Sequence, residues 1–112
     1  MKNRLIGRED WGSCFDDFTR RNGGRLATVR VVDPRLGDQV EARSLPFAGI
    51  SASPKGSGPI VLQLGKPAGA NVEHPVDEPS EVWVELTDEG ADAALEILSE
   101  GGRKTILEFR QK

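Results

Sequence analysis

The sequence contains one cysteine, one histidine and no tyrosine in 112 residues. A single thiol cannot close an intramolecular disulfide, so nothing marks the chain as a secreted, disulfide-stapled domain. Cys14 is expected as a small buried hydrophobe, because no base is spaced to activate it as a nucleophile. With one histidine, a catalytic zinc centre of three protein ligands lacks its usual donors. Apolar runs are only a few residues long, far short of the ~20 needed to span a bilayer. The start, MKNRLIGRED, returns to charge directly after Leu5 and Ile6 and so lacks a signal-peptide core. The expectation is a soluble, cytoplasmic protein. Excess positive charge is also absent. Lys and Arg number 15 against 18 Asp and Glu, for a net charge of −3 and a pI near 5.2. That balance argues against a dedicated binder of nucleic acid or anionic membranes.

Structure-breaking residues are plentiful, with 13 Gly and 7 Pro, so short elements and many turns are expected. The length suits a single domain, 1–112, able to bury roughly two-thirds of its unfolded surface. Residues 7–22 read as an amphipathic helix, because Trp11, Cys14, Phe15 and Phe18 fall at i, i+3, i+4 and i+7 on one face. Gly7 serves as N-cap, Ile6 and Trp11 as a hydrophobic staple, and Gly23 as the left-handed C-terminal residue. Glu9 and Asp10 in the first turn and Arg20 and Arg21 in the last suit the helix dipole. Asp16 and Asp17 read as solvated charges on the helix face.

Beyond Gly24 the apolar period changes from 3.6 to 2. Strands are expected at about 25–33, 39–45, 47–53, 59–64, 71–76, 80–87, 92–99 and 103–110. Pro46 marks an edge, bulge or bend between two of them. The stretch 91–99 fits a helix or a strand. The tight Glu100-Gly101-Gly102 turn into the next strand favours a hairpin. The result is an α+β fold in which one N-terminal helix packs on a curved, mostly antiparallel sheet of about seven short strands, a meander or partial barrel.

Several of these segments resemble a bacterial domain family known only as a domain of unknown function. They are Trp11-x-x-x-Phe15-x-x-Phe18, the Gly24 exit, Leu45-Pro46 before Gly49-Ile50-Ser51, His74-x-Val76-x-x-Pro79, the Asp88–Ile97 segment and Leu107-x-Phe109. The resemblance covers nearly the whole chain and supports reading the Leu95 region as part of a C-terminal hairpin. It implies no catalytic residues. Pro75, directly after His74, departs from the pattern.

Three places carry candidate chemistry. His74, with Asp77 and Glu78, offers a general base or ligand-binding group; the plainer account is a histidine bonded to backbone at a strand end. Arg20, Arg21 and Arg25 form a basic patch that could take phosphate or RNA; the preferred account is structural, a helix C-terminus, a capping glycine and a charged strand start. Lys55-Gly56-Ser57-Gly58 and Gly65-Lys66-Pro67 miss phosphate-loop spacing and lead into no helix. Trp83 stands apart. Val82, Val84 and Leu86 point to one side of their strand, while Glu81, Trp83 and Glu85 point to the other, a face Leu98 and Ile106 could share. The leading expectation puts Trp83 in the core beneath the helix. An uncovered Trp83 would mark a self-association or partner site.

Charge is unevenly distributed. Residues 1–45 carry nine basic against seven acidic groups, residues 46–102 two against ten, and residues 103–112 four against one. No catalytic constellation, cofactor fingerprint or metal set stands out. The leading expectation is a non-enzymatic binding or interaction module, homodimeric through a strand edge or the Trp83 face. A small-molecule binder or minor enzyme at His74 and a weak nucleic-acid accessory are the alternatives.

Overall fold

A computed structural model describes residues 2–53, 58–65 and 71–110. The turns expected around Lys55-Gly56-Ser57 and Lys66-Pro67 lie outside the described residues. Strand β1 (Lys2–Ile6) leads through a single 3-10 turn at Arg8–Asp10 into helix α1 (Trp11–Asn22). Seven strands follow: β2 (Leu26–Asp33), β3 (Gly37–Ala52), β4 (Ile60–Gly65), β5 (Asn71–Val76), β6 (Pro79–Leu86), β7 (Asp92–Ser99) and β8 (Lys104–Phe109). The stretch left between helix and strand is thus a strand, and the fold is α+β as expected. Among the described residues the strands number eight, in the order β1-β6-β7-β8-β2-β3-β4-β5. Every neighbouring pair is antiparallel.

Two local differences from the sequence reading have clear causes. Lys2–Ile6 was not anticipated as a strand, because its side chains are exposed except that of Ile6 and so show no alternating apolar pattern. The strands expected at 39–45 and 47–53 are one strand, β3. Its two halves pair with different neighbours, and it bends where Ser44 adopts a positive φ of 51° ahead of Pro46.

The sheet is rolled, not flat. Eight strands spaced about 4.8 Å apart would make a flat sheet about 34 Å wide and thin in the third dimension, whereas the molecule measures 32 × 29 × 28 Å. The connectivity gives the same result. β5 is one edge of the sheet and β6 lies next to the other edge, yet only Asp77 and Glu78 join them. Such a link spans about 10 Å at most. Among the described residues the roll stays open, because β1 and β5 are each paired on one side only.

Helix α1 fills the concave side. Trp11, Phe15 and Phe18 are buried, Phe18 completely, and they share one core with Val29, Phe47, Leu62, Val82, Leu95, Leu107 and Phe109. Phe18, Phe47 and Phe109 form a ring cluster with centroids 5.5–5.6 Å apart, within the range favourable for aromatic pairs. The helix packs chiefly on β3, where Thr19 Oγ1 accepts a hydrogen bond from the Ile50 backbone N–H at 3.1 Å. Its start is held by the Trp11 indole, which donates to the Ile6 carbonyl at 3.1 Å. Gly7 is extended ahead of the 3-10 turn, and Asp10 is the N-cap of the α-helix proper. At the other end the left-handed residue is Gly24, with φ +88°, not Gly23. Cys14 is half-buried against the rim of the core, less enclosed than expected.

Candidate functional site

The helix occupies the concave side, so Trp83 is not beneath it. Val82 and Val84 point into the core and are 0% and 2% exposed. Trp83 lies on the opposite, convex face, half-buried, with its indole N–H donating to Glu81 Oε1 at 2.9 Å. The alternation along β6 was read correctly from the sequence; the expected cover was not. Which face is covered depends on the path of the chain after Gly7, and that path carries α1 inside the roll.

The strand register identifies what surrounds Trp83. Leu5 on β1 stands opposite it and is 51% exposed. The same cross-strand row continues through Glu96, Ile106 and Arg30 to Val40, which is 43% exposed. Glu81, Leu98, Lys104 and Val32 form a flanking row on one side, and Asn3, Glu85, Ala94, Glu108 and Thr28 form one on the other. Leu98 and Ile106 therefore do share the Trp83 face. Charge on the face is lopsided. Arg30 is taken up by Glu108 and, at 2.9 Å, by Asp38, whereas the charged neighbours of Trp83 along and across the strands are Glu81, Glu85 and Glu96.

His74 lies at a mouth of the roll. Its cross-strand partner Leu62 is fully buried, so His74 shares the inner face of β5 with Val72 and Val76. His74 and Asp77 line a cavity of about 120 Å³ together with Gln39, Glu41, Arg103 and Thr105. Glu78 does not line it. Its backbone turns away with a φ of 51°, and its carbonyl accepts the Glu100 N–H at 3.0 Å. Asp33, at the same mouth, accepts the Arg35 N–H at 2.8 Å, the Leu36 N–H at 3.2 Å and the Arg103 guanidinium at 3.1 Å. These bonds, the Arg35 N–H foremost, hold the Asp33 carboxyl below the usual carboxylate range. Sequence reasoning missed Asp33 and Arg103 because they come from two hairpins remote from His74 in the chain. Among the described residues, no group of three or more His, Cys, Asp or Glu is arranged to hold a metal ion.

The arginine patch is built into the fold. Arg21 bonds both carboxylate oxygens of Asp92, at 3.0 and 3.3 Å, and this bonding raises its already high pKa. Asn22 donates to the same carboxylate at 2.8 Å. Arg25 bonds the Asn22 side chain at 2.8 Å and the Asp92 carbonyl at 2.9 Å, with its guanidinium 4.4 Å from the centroid of the Phe109 ring. Arg20 pairs with Asp17 one helical turn earlier. Asp92 and Asn22, both buried, are the residues that sequence reasoning passed over. The sequence places them 70 positions apart, and neither stands in a recognisable motif. The cluster fastens the end of α1 to the start of β7.

No helix among the described residues is long and apolar enough to cross a membrane. An uncharacterized protein of Aquifex aeolicus (strain VF5) is 28% identical over 110 residues, covering 98% of this chain and 94% of that protein. No solved structure matches. A family model described as a family of unknown function (DUF5335) matches residues 2–112. The chain belongs to that family.

Proposed function

We propose that this protein is an interaction module whose working surface is the helix-free face of the sheet around Trp83, and that its partner is a different polypeptide. The observation that carries this reading is the row holding Leu5, Trp83 and Val40 on the sheet face turned away from the only helix among the described residues; Ile106, in the same row, is itself buried by its neighbours. Leu5 and Val40 are two of the three exposed large hydrophobic residues in the described chain. Apolar groups grouped on a bare sheet face, with a tryptophan at their centre, have the makings of a binding hot spot. A second copy fits this face poorly. Two copies meeting about a two-fold axis at Trp83 would bring Glu81, Glu85 and Glu96 of each against the same carboxylates of the other, and like charges across an interface are costly.

Site-specific photo-crosslinking in the source cell tests the reading. A photoreactive residue at Asn3 or Glu85, both on this face, is expected to form an adduct with a second protein species. The same residue at Asn71, on the edge strand β5, is expected to form none. Adducts of twice the chain's own mass, or none from the convex positions, would overturn the proposal.

A further inference from the structure

We infer that the occupant of the Trp83 face is a cationic amphipathic helix lying obliquely across β1, β6 and β7, over Leu5, Trp83 and Leu98, an inference that rests on the interaction reading above. Three observations lead to it.

The first is hydrogen bonding. β6 lies between β1 and β7, and β7 between β6 and β8, so the backbone groups under Trp83 are already used in the sheet. A segment seated there finds no ladder to join and must satisfy its own N–H and C=O groups, which an α-helix does and an extended peptide does not. The second is shape. Leu5 stands opposite Trp83, and Leu98 stands opposite Glu81, two residues further along β6, so the apolar groups form one oblique line over three strands. A single helical stripe can follow that line, with Glu81 on one flank and Glu85 and Glu96 on the other.

The third is charge. Leu5, Trp83 and Leu98 supply the apolar contacts, and Glu81, Glu85 and Glu96 surround Trp83 along and across the strands. On this face the cations in the rows through and beside Trp83 are Lys104, on β8 opposite Leu98, and Arg30, which is already paired with Glu108 and Asp38. An occupant with leucine-type residues at helical spacing and Lys or Arg on the flanks of that stripe would meet apolar with apolar and cation with carboxylate.

The test uses the full chain labelled with nitrogen-15 and four synthetic 18-residue peptides. One carries a leucine stripe flanked by lysines. One has the same stripe flanked by glutamates. One has the composition of the first with its stripe scrambled, and one has the first sequence interrupted by two central prolines. The lysine peptide is expected to shift the Trp83 indole resonance and the amides of Leu5 and Leu98, and to bind at least tenfold more tightly than the other three. The triple variant Glu81→Gln, Glu85→Gln, Glu96→Gln is expected to lose at least tenfold in affinity while its own spectrum stays folded. Equal binding of the glutamate peptide at these residues would overturn the charge assignment. Equal binding of the proline peptide would overturn the helix, and equal binding of the scrambled peptide would overturn the apolar stripe. If no peptide perturbs Trp83, the inference fails. The crosslinks from Asn3 and Glu85 then decide separately whether the interaction reading fails with it.

Discussion

Asp92 is the residue on which the junction of helix and sheet turns. Its carboxylate is buried and accepts from Arg21 and Asn22, while its carbonyl accepts from Arg25. Asp92→Ala would leave the Arg21 guanidinium without this acceptor, together with one N–H of the buried Asn22 amide, which still donates to the Phe18 carbonyl. Because Arg21 is half-exposed, water recovers part of that loss, and we expect the variant to be less stable by about 2–3 kcal/mol. Urea denaturation checks this; a change below about 0.5 kcal/mol, the range of ordinary surface substitutions, would show that the cluster is incidental. Asp33 gives a pH-dependent prediction. Its folded pKa is lowered, so its contribution is complete above its unfolded value of about 3.9 and is lost as pH falls through the folded value. Asp33→Asn is therefore expected to lie below the parent in stability at pH 6 and to approach it toward pH 2, read from melting curves across that range. A gap that stays constant with pH would contradict it. His74 and Asp77 were legible in the sequence as neighbours in the chain. Asp33 and Arg103 were not, since long-range pairing of hairpins alone brings them to the same mouth.

At the scale of the element, α1 shows what periodicity conveys and what it omits. Trp11, Phe15 and Phe18 were readable as one stripe because 3.6 residues per turn bring them to one side, and all three are buried. The exit from the helix was less legible. Gly23 and Gly24 are adjacent glycines, and composition alone does not say which takes the left-handed conformation. It is Gly24, at φ +88°. This sets up opposite outcomes for one substitution. Gly24→Ala meets no atom within 4 Å but forces a side chain into left-handed backbone, and is expected to cost about 1 kcal/mol or more. Gly12→Ala, exposed within the helix and equally free of contacts, is expected to stabilise by up to about 1 kcal/mol. Thermal melts of the two variants measure both; shifts of the same sign would contradict the assignment. β1 escaped sequence reading because Lys2, Asn3, Arg4 and Leu5 all face solvent, so the pairing with β6 is carried by backbone groups that leave no pattern in the side chains.

At the scale of the whole molecule, alternation along β6 established that Trp83 opposes Val82 and Val84, but could not say which face the helix covers. That depends on the roll. The two-residue link between β5 and β6 draws the sheet edges toward one another, the concave side becomes the core, and α1 fills it. The convex side is left with Leu5, with Trp83 among carboxylates, and with Val40 beside Arg30. A double variant Leu5→Ser, Val40→Ser should therefore keep its stability within about 0.5 kcal/mol, as exposed positions do. A loss of several kcal/mol in urea denaturation would place both residues in the core instead. The most direct test of the account is hydroxyl-radical footprinting of the free chain at low concentration, comparing its two tryptophans. The helix inside the roll predicts rapid modification of Trp83 together with Leu5, and strong protection of Trp11. Protection of Trp83 equal to that of Trp11, or modification of Trp11 ahead of it, would contradict the account.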